Sequence, residues 1–134
     1  MAESDLDVVK RGYQALASGG VESWLSLFDE DFEMTTPAEL ASEPGTYRGR
    51  EGVRRWFDEF HEAMDEVRLE PHSFQEADGW VVVPFSIVAR GRSSGLEMRQ
   101  DAVQAWLLRD GKAVKLRIFA TLDEALEALG SKGS

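Results

Sequence analysis

Met98-Arg-Gln-Asp-Ala-Val-Gln-Ala-Trp-Leu-Leu108, an Asp110-Gly111 pair and Lys112-Ala-Val-Lys-Leu-Arg-Ile-Phe119 make up the stretch that decides the fold. Both arms carry apolar side chains at alternate positions. An Asp-Gly pair between such arms is the strongest short-range hairpin signal, because a tight turn matching the strand twist needs positive φ at both central residues. Long paired strands curl, and a curled sheet has a concave side that can wall a cavity. Parity assigns the walls: if Gln104 and Trp106 face the concave side, Ala102 does too, and Asp101, Val103, Ala105 and Leu107 face the convex side. A β-bulge before Asp101 would invert that assignment.

Working outward, Gly91-Arg-Ser-Ser-Gly95 reverses the chain into Trp80-Val-Val-Val-Pro-Phe-Ser-Ile-Val-Ala89, a nearly continuous apolar run that reads as a strand covered on both faces. Asp78-Gly79 turns this strand back to one marked by Val67, Leu69 and Phe74. Ahead of the strands the period is helical. Leu6, Val9, Tyr13 and Leu16 form one stripe, with Ser4 and Asp7 as a capping box and Gly19-Gly20 as its end. Val21, Trp24, Leu25 and Phe28 form a second, shorter helix closed by Asp29-Glu-Asp31. Phe32, Met34 and Thr36 alternate as a short strand up to Pro37, and Ala38 to Tyr47 reads as a loop. From Gly49, residues Val53, Trp56, Phe57, Phe60 and Met64 give a wide apolar helical face. Thr121 and Glu124 cap a terminal helix with Leu122, Ala125, Leu126 and Leu129 on its apolar side and Gly130 at its end. Helices followed by an antiparallel meander predict an α+β domain over 1–130, with 131–134 as a disordered tail.

The chain has 134 residues, a formal charge of -10 and no cysteine. One domain of this size buries about two thirds of its unfolded surface. The negative field disfavours nucleic acid and anionic membrane as partners, and no apolar run reaches the roughly 18 residues of a spanning helix. Without cysteine there are no disulfides, thiolate metal sites or thiol nucleophiles, and the expected compartment is the cytoplasm. Two histidines with no clustered acids make no convincing metal shell, so neither metal nor cofactor is expected.

The order of elements, with Tyr47-Arg-Gly-Arg-Glu-Gly-Val53 opening the long helix and Leu108-Arg-Asp-Gly-Lys112 in the last hairpin, resembles the nuclear transport factor 2-like superfamily, and within it the SnoaL-like, polyketide cyclase-like branch. The resemblance implies a cone, a cystatin-like roll in which a strongly curved antiparallel sheet packs against N-terminal helices. It does not imply one activity, since the superfamily holds isomerases, cyclases, epoxide hydrolases and non-catalytic modules. In ketosteroid isomerases of this fold, a carboxylate base precedes the proline ending the first strand, where this chain has Thr36. Their oxyanion donors, a tyrosine and a protonated aspartate, correspond to Gly12 and Gln104. The aspartate used by cyclases and epoxide hydrolases corresponds to Ile118. The usual catalysts are therefore replaced, while Phe57, Phe85, Leu116 and Ile118 resemble pocket-wall positions.

The reading that follows is a protein binding a hydrophobic cyclic ligand, with Trp24, Phe28, Met34, Phe57, Phe60, Phe85, Trp106 and Ile118 as walls and Thr36 and Gln104 as neutral polar contacts. Its alternatives are an isomerase, cyclase or hydrolase with an unusual acid and base, and a non-catalytic dimerisation or assembly domain whose aromatic side chains fill the cone. For the enzyme, His61 and Asp101 are the candidate groups, with Glu39 and Glu43 on the rim loop. His61 is more readily a solvated helix-edge residue, and Asp101 a convex-face partner of Arg99, Arg117 or Arg90. His72 reads as an exposed sheet position. Because monomers seldom expose apolar strips, Val103, Ala105 and Leu107 predict a homodimer through the convex sheet face, unless the terminal helix covers them.

Overall fold

The computed structural model describes residues 4–36, 45–77 and 79–130. Helix α1 spans Asp5–Leu25, β1 Phe28–Thr36, β2 Gly45–Arg48, α2 Gly49–Ala63, β3 Met64–Pro71, β4 Gln75–Ala77, β5 Trp80–Gly91, β6 Glu97–Arg109, β7 Lys112–Phe119 and α3 Leu122–Gly130. The rim acids Glu39 and Glu43, the turn residue Asp78 and the tail 131–134 lie outside the described residues, as do the side chains of Thr36, Phe60 and His61. Among the described residues, no helix is long and apolar enough to cross a membrane.

The hairpin forms as the sequence predicts. Asp110 and Gly111 both take positive φ, 54° and 77°, and Gln104 pairs with Ile118 and Trp106 with Leu116 across it. A register shift between Leu107 and Leu108 adds twist near the turn. It lies beyond Asp101, so the parity of the long arm holds: Ala102 and Trp106 join the inner core, and Val103 and Ala105 join a separate outer cluster. Strand β5 pairs β6 from Val81↔Trp106 to Arg90↔Glu97 and is buried on both faces through its middle.

The sheet runs β2-β1-β7-β6-β5-β3, with β4 paired to β5. The β1–β7 pairing is parallel, Met34↔Leu116 and Thr35↔Arg117, and joins the first strand to the last. The α+β cone is thus a curled, unclosed sheet with α1 and α2 packed on its concave side.

Several boundaries differ from the sequence reading. Phe28, expected as the end of a second helix, starts β1, and Asp29–Asp31 continue that strand. The helix stops because Leu27 N bonds back to Trp24 O, and Ala113 N then takes Leu27 O, which places Phe28 beside β7. Gly19-Gly20 does break the helix: Gly20 sits at φ 76° and kinks α1 there. Residues 45–47, expected as loop, form β2 against β1, and Met64 begins β3 rather than ending α2. The Tyr47–Val53 motif also gains a physical meaning. Gly49 has φ 66°, and a Cβ on Gly52 would lie 3.0 Å from the Tyr47 carbonyl carbon, so α2 seats against β2 only with glycine there.

On the convex side, α3 lies over Val82, Val103 and Ala105 with Ala125 and Leu129, flanked by Trp80, Phe119 and Leu122. Of the apolar strip that suggested a sheet-to-sheet dimer, Val103 and Ala105 are covered by this helix, and Leu107 is half-buried outside that cluster.

Candidate ligand-binding site

Seven of the proposed wall residues, Trp24, Phe28, Met34, Phe57, Phe85, Trp106 and Ile118, are buried together in the inner core. Phe28 stacks on Phe32 at 4.5 Å and on Trp106 at 5.8 Å, and Trp24 meets Phe28, Phe57 and Trp106 edge-on at 5.0, 5.4 and 5.9 Å. These are ordinary packing separations for aromatic pairs, so these rings rest directly on one another.

The open space lies beside the core. A cleft of about 690 Å³ is lined by Tyr13, Leu16, Ala17 and Gly20 of α1, Phe57 and Asp58 of α2, and Val67 to Pro71 of β3. Its volume is within the usual range for sites that hold a small organic molecule. Among the described members of the expected set, Phe57 alone lines it. The kink at Gly20 turns the second half of α1 into the core, which leaves the first half to form one wall. Strand β3 is the last in the sheet order and forms the other. Sequence periodicity had already placed Tyr13, Leu16, Val67 and Leu69 on inward faces. The glycine pair had also marked the break; what sequence lacked was where the faces on either side of it part.

Tyr13 links cleft and core. Its hydroxyl donates to Gln104 Oε1 across 91 positions of sequence. Burial raises the Tyr13 pKa well above the ordinary tyrosine range; the Trp106 indole N–H leans close enough to oppose that rise, though short of hydrogen-bond geometry. Gln104 is wholly buried, and among the described residues its Nε2 has no hydrogen-bond partner, nor do the indole nitrogens of Trp24 and Trp106. The core thus carries donors to spare, led by an amide where related enzymes have an acid.

Asp101 points away from all of this. It accepts from Ser86 Oγ at 2.5 Å and sits 3.9 Å from Arg99 Nε, on the convex face. His72 Nε2 lies 2.7 Å from the same Ser86 oxygen, and the His72 amide donates to Pro84 O. Serine, histidine and aspartate therefore meet, but in an order that does no nucleophilic chemistry: the Ser86 hydrogen is tied to a carboxylate, and Ser86 is fully buried. The trio ties the end of β3 to β5 and β6, so His72 is more than the bare sheet position expected. For metals, no group of three or more His, Asp or Glu side chains among the described residues is placed to hold an ion.

The SnoaL-like domain family matches residues 9–116, and the chain belongs to that family. Solved structures agree in fold. A nuclear transport factor 2-like protein of unknown function from Burkholderia pseudomallei is 20% identical, with 96% of this chain and 98% of that one covered and a TM-score of 0.76. TerC, co-crystallised with polyporic acid, is 23% identical over 94% and 98% at a TM-score of 0.76. A protein with a ketosteroid isomerase-like fold from Catenulispora acidiphila, in complex with trimethylamine, is 14% identical over 92% of each chain at 0.72. No curated protein matches the chain.

Proposed function

We propose that the chain is a small-molecule-binding domain that takes a hydrophobic cyclic ligand in the cleft between α1, α2 and β3. The observation that carries this reading is the cleft itself, about 690 Å³ with Tyr13, Leu16, Phe57, Val67 and Leu69 among its walls. A ligand there gains roughly 25 cal/mol for each Å² of apolar surface buried, before association costs. Phe57 remains from the set chosen by sequence, and Tyr13, backed by Gln104, takes the place of the other polar contacts. The two ligand-bound relatives support binding of small molecules in this fold, but an acid and an amine together do not select a ligand for this chain.

The enzymatic alternative finds Asp101 on the opposite face, tied to Ser86. We do not extend the proposal to a homodimer, because Val103 and Ala105 of the strip that motivated one lie under α3.

The test is a thermal-shift and calorimetric screen of bicyclic aromatic compounds against the native chain and Ala17→Trp. Ala17 is exposed on the cleft wall, so the indole fills the space without disturbing the core. Saturable binding that the substitution abolishes supports the proposal. Absence of any stabilisation up to the solubility limit of every compound removes it.

A further inference from the structure

The cleft is lined by two acids, Asp58 and Glu70, and one base, Arg68. Asp58 lines it and makes no hydrogen bond or ion pair among the described residues. Arg54 feels the Asp58 charge but is bound to other acids, Glu22 through two contacts at 3.0 and 2.9 Å and Glu51 at 2.9 Å, and Arg55 lies over the Tyr47 ring. One cation, Arg68, lines the cleft, and Glu70 beside it holds it at 3.4 Å.

Two further features have the same sign. The first segment of α1 ends at the Gly20 kink, on the cleft wall, so the negative end of that segment's dipole is directed there, with no basic residue between Leu16 and Gly20 to offset it. The formal charge of the whole chain is -10, which raises the local concentration of cations around any concave surface. The walls also include the rings of Tyr13 and Phe57, and aromatic faces attract cations.

From these features we infer that the ligand of the cleft is an organic cation: an apolar or aromatic body seated against Leu16, Val67 and Leu69, with an ammonium group directed at Asp58. This rests on the cleft being the ligand site. Asp58 is exposed, so its contribution is the modest one of a solvent-screened pair, reinforced by the rings.

Three probes of matched shape decide the matter by calorimetry on the native chain: benzyltrimethylammonium, its uncharged isostere neopentylbenzene, and phenylacetate. The cation is expected to bind most tightly, with an affinity that falls as salt is added. Asp58→Asn is expected to weaken the cation about three- to fivefold and to leave the neutral compound unchanged, in keeping with an exposed charge pair. Circular dichroism of the variant should be native, since the side chain supports no contact in the fold. If neopentylbenzene binds as tightly as the cation, or phenylacetate binds best, the cation inference is wrong while the cleft reading stands. If none of the three binds, and the Ala17→Trp comparison also shows no ligand for the cleft, both readings are wrong.

Discussion

At the scale of single residues, Tyr13 does the most to join sequence to site. Its ring borders the cleft, and its hydroxyl satisfies one side of a buried amide. Burial keeps the phenol neutral in the fold, whereas in the unfolded chain it ionises near pH 10. The unfolded state therefore loses this proton first. The stabilisation is whole below about pH 10 and drains away as pH rises from there toward the folded value, at roughly 1.4 kcal/mol per pH unit. Urea midpoints at about pH 8 and about pH 11 should therefore draw together for the native chain and Tyr13→Phe as pH rises. The loss of the Tyr13–Gln104 bond offsets the variant by a constant at both pH values. A gap that stays the same would mean that the phenol is not held neutral. Sequence placed Tyr13 on the apolar stripe of a helix but had no means of finding Gln104 as its partner, because helical period reports a face and not what that face meets.

At the scale of elements, local patterns were legible and distant pairings were not. The β6–β7 hairpin, the apolar face of α2 and the capped α3 follow from period and turn chemistry carried within a few residues. Strand β1 was shortened in the reading because Phe28 fits the helical stripe of Trp24 and Leu25 as well as it fits a strand; its pairing with Ala113 settles the choice. The candidate site suffered in the same way. Parity chose Trp106, and the family resemblance Ile118 and Phe85, as inward residues, which they are, but neither carries information on whether inward side chains touch one another. Their geometry does: Phe28 stacks on both Phe32 and Trp106.

Helix α3 allows a separate test at this scale. Ala125 is fully buried against the convex face, so Ala125→Asp places a charge under the helix at a cost of about 3 kcal/mol or more. The helix should detach, expose Trp80, Phe119 and Val103, and produce dye binding and self-association in size-exclusion chromatography. An unchanged elution profile and melting temperature would show that α3 does not protect that surface.

For the whole molecule, the charge of -10 opposes compaction. The Debye length falls from about 30 Å at 0.01 M salt to about 8 Å at 0.15 M, which screens this repulsion between exposed groups. The melting temperature should therefore rise over that interval by a few degrees. If it falls instead, attraction within surface networks such as Arg68–Glu70–Arg99 outweighs the repulsion.

The parallel pairing of β1 with β7 also fixes the timetable of synthesis. A chain growing from the ribosome produces Phe28–Thr36 before the strand beside which it must lie, Lys112–Phe119, which emerges only after β2 to β6. Until then the aromatic residues of the first helix and strand have no permanent shelter, and closing so long a loop adds to the delay. Nascent chains arrested before Lys112 should be digested rapidly by protease, and resistance should appear once Phe119 has cleared the exit tunnel. Resistance in the shorter chains would mean that the first half holds together alone.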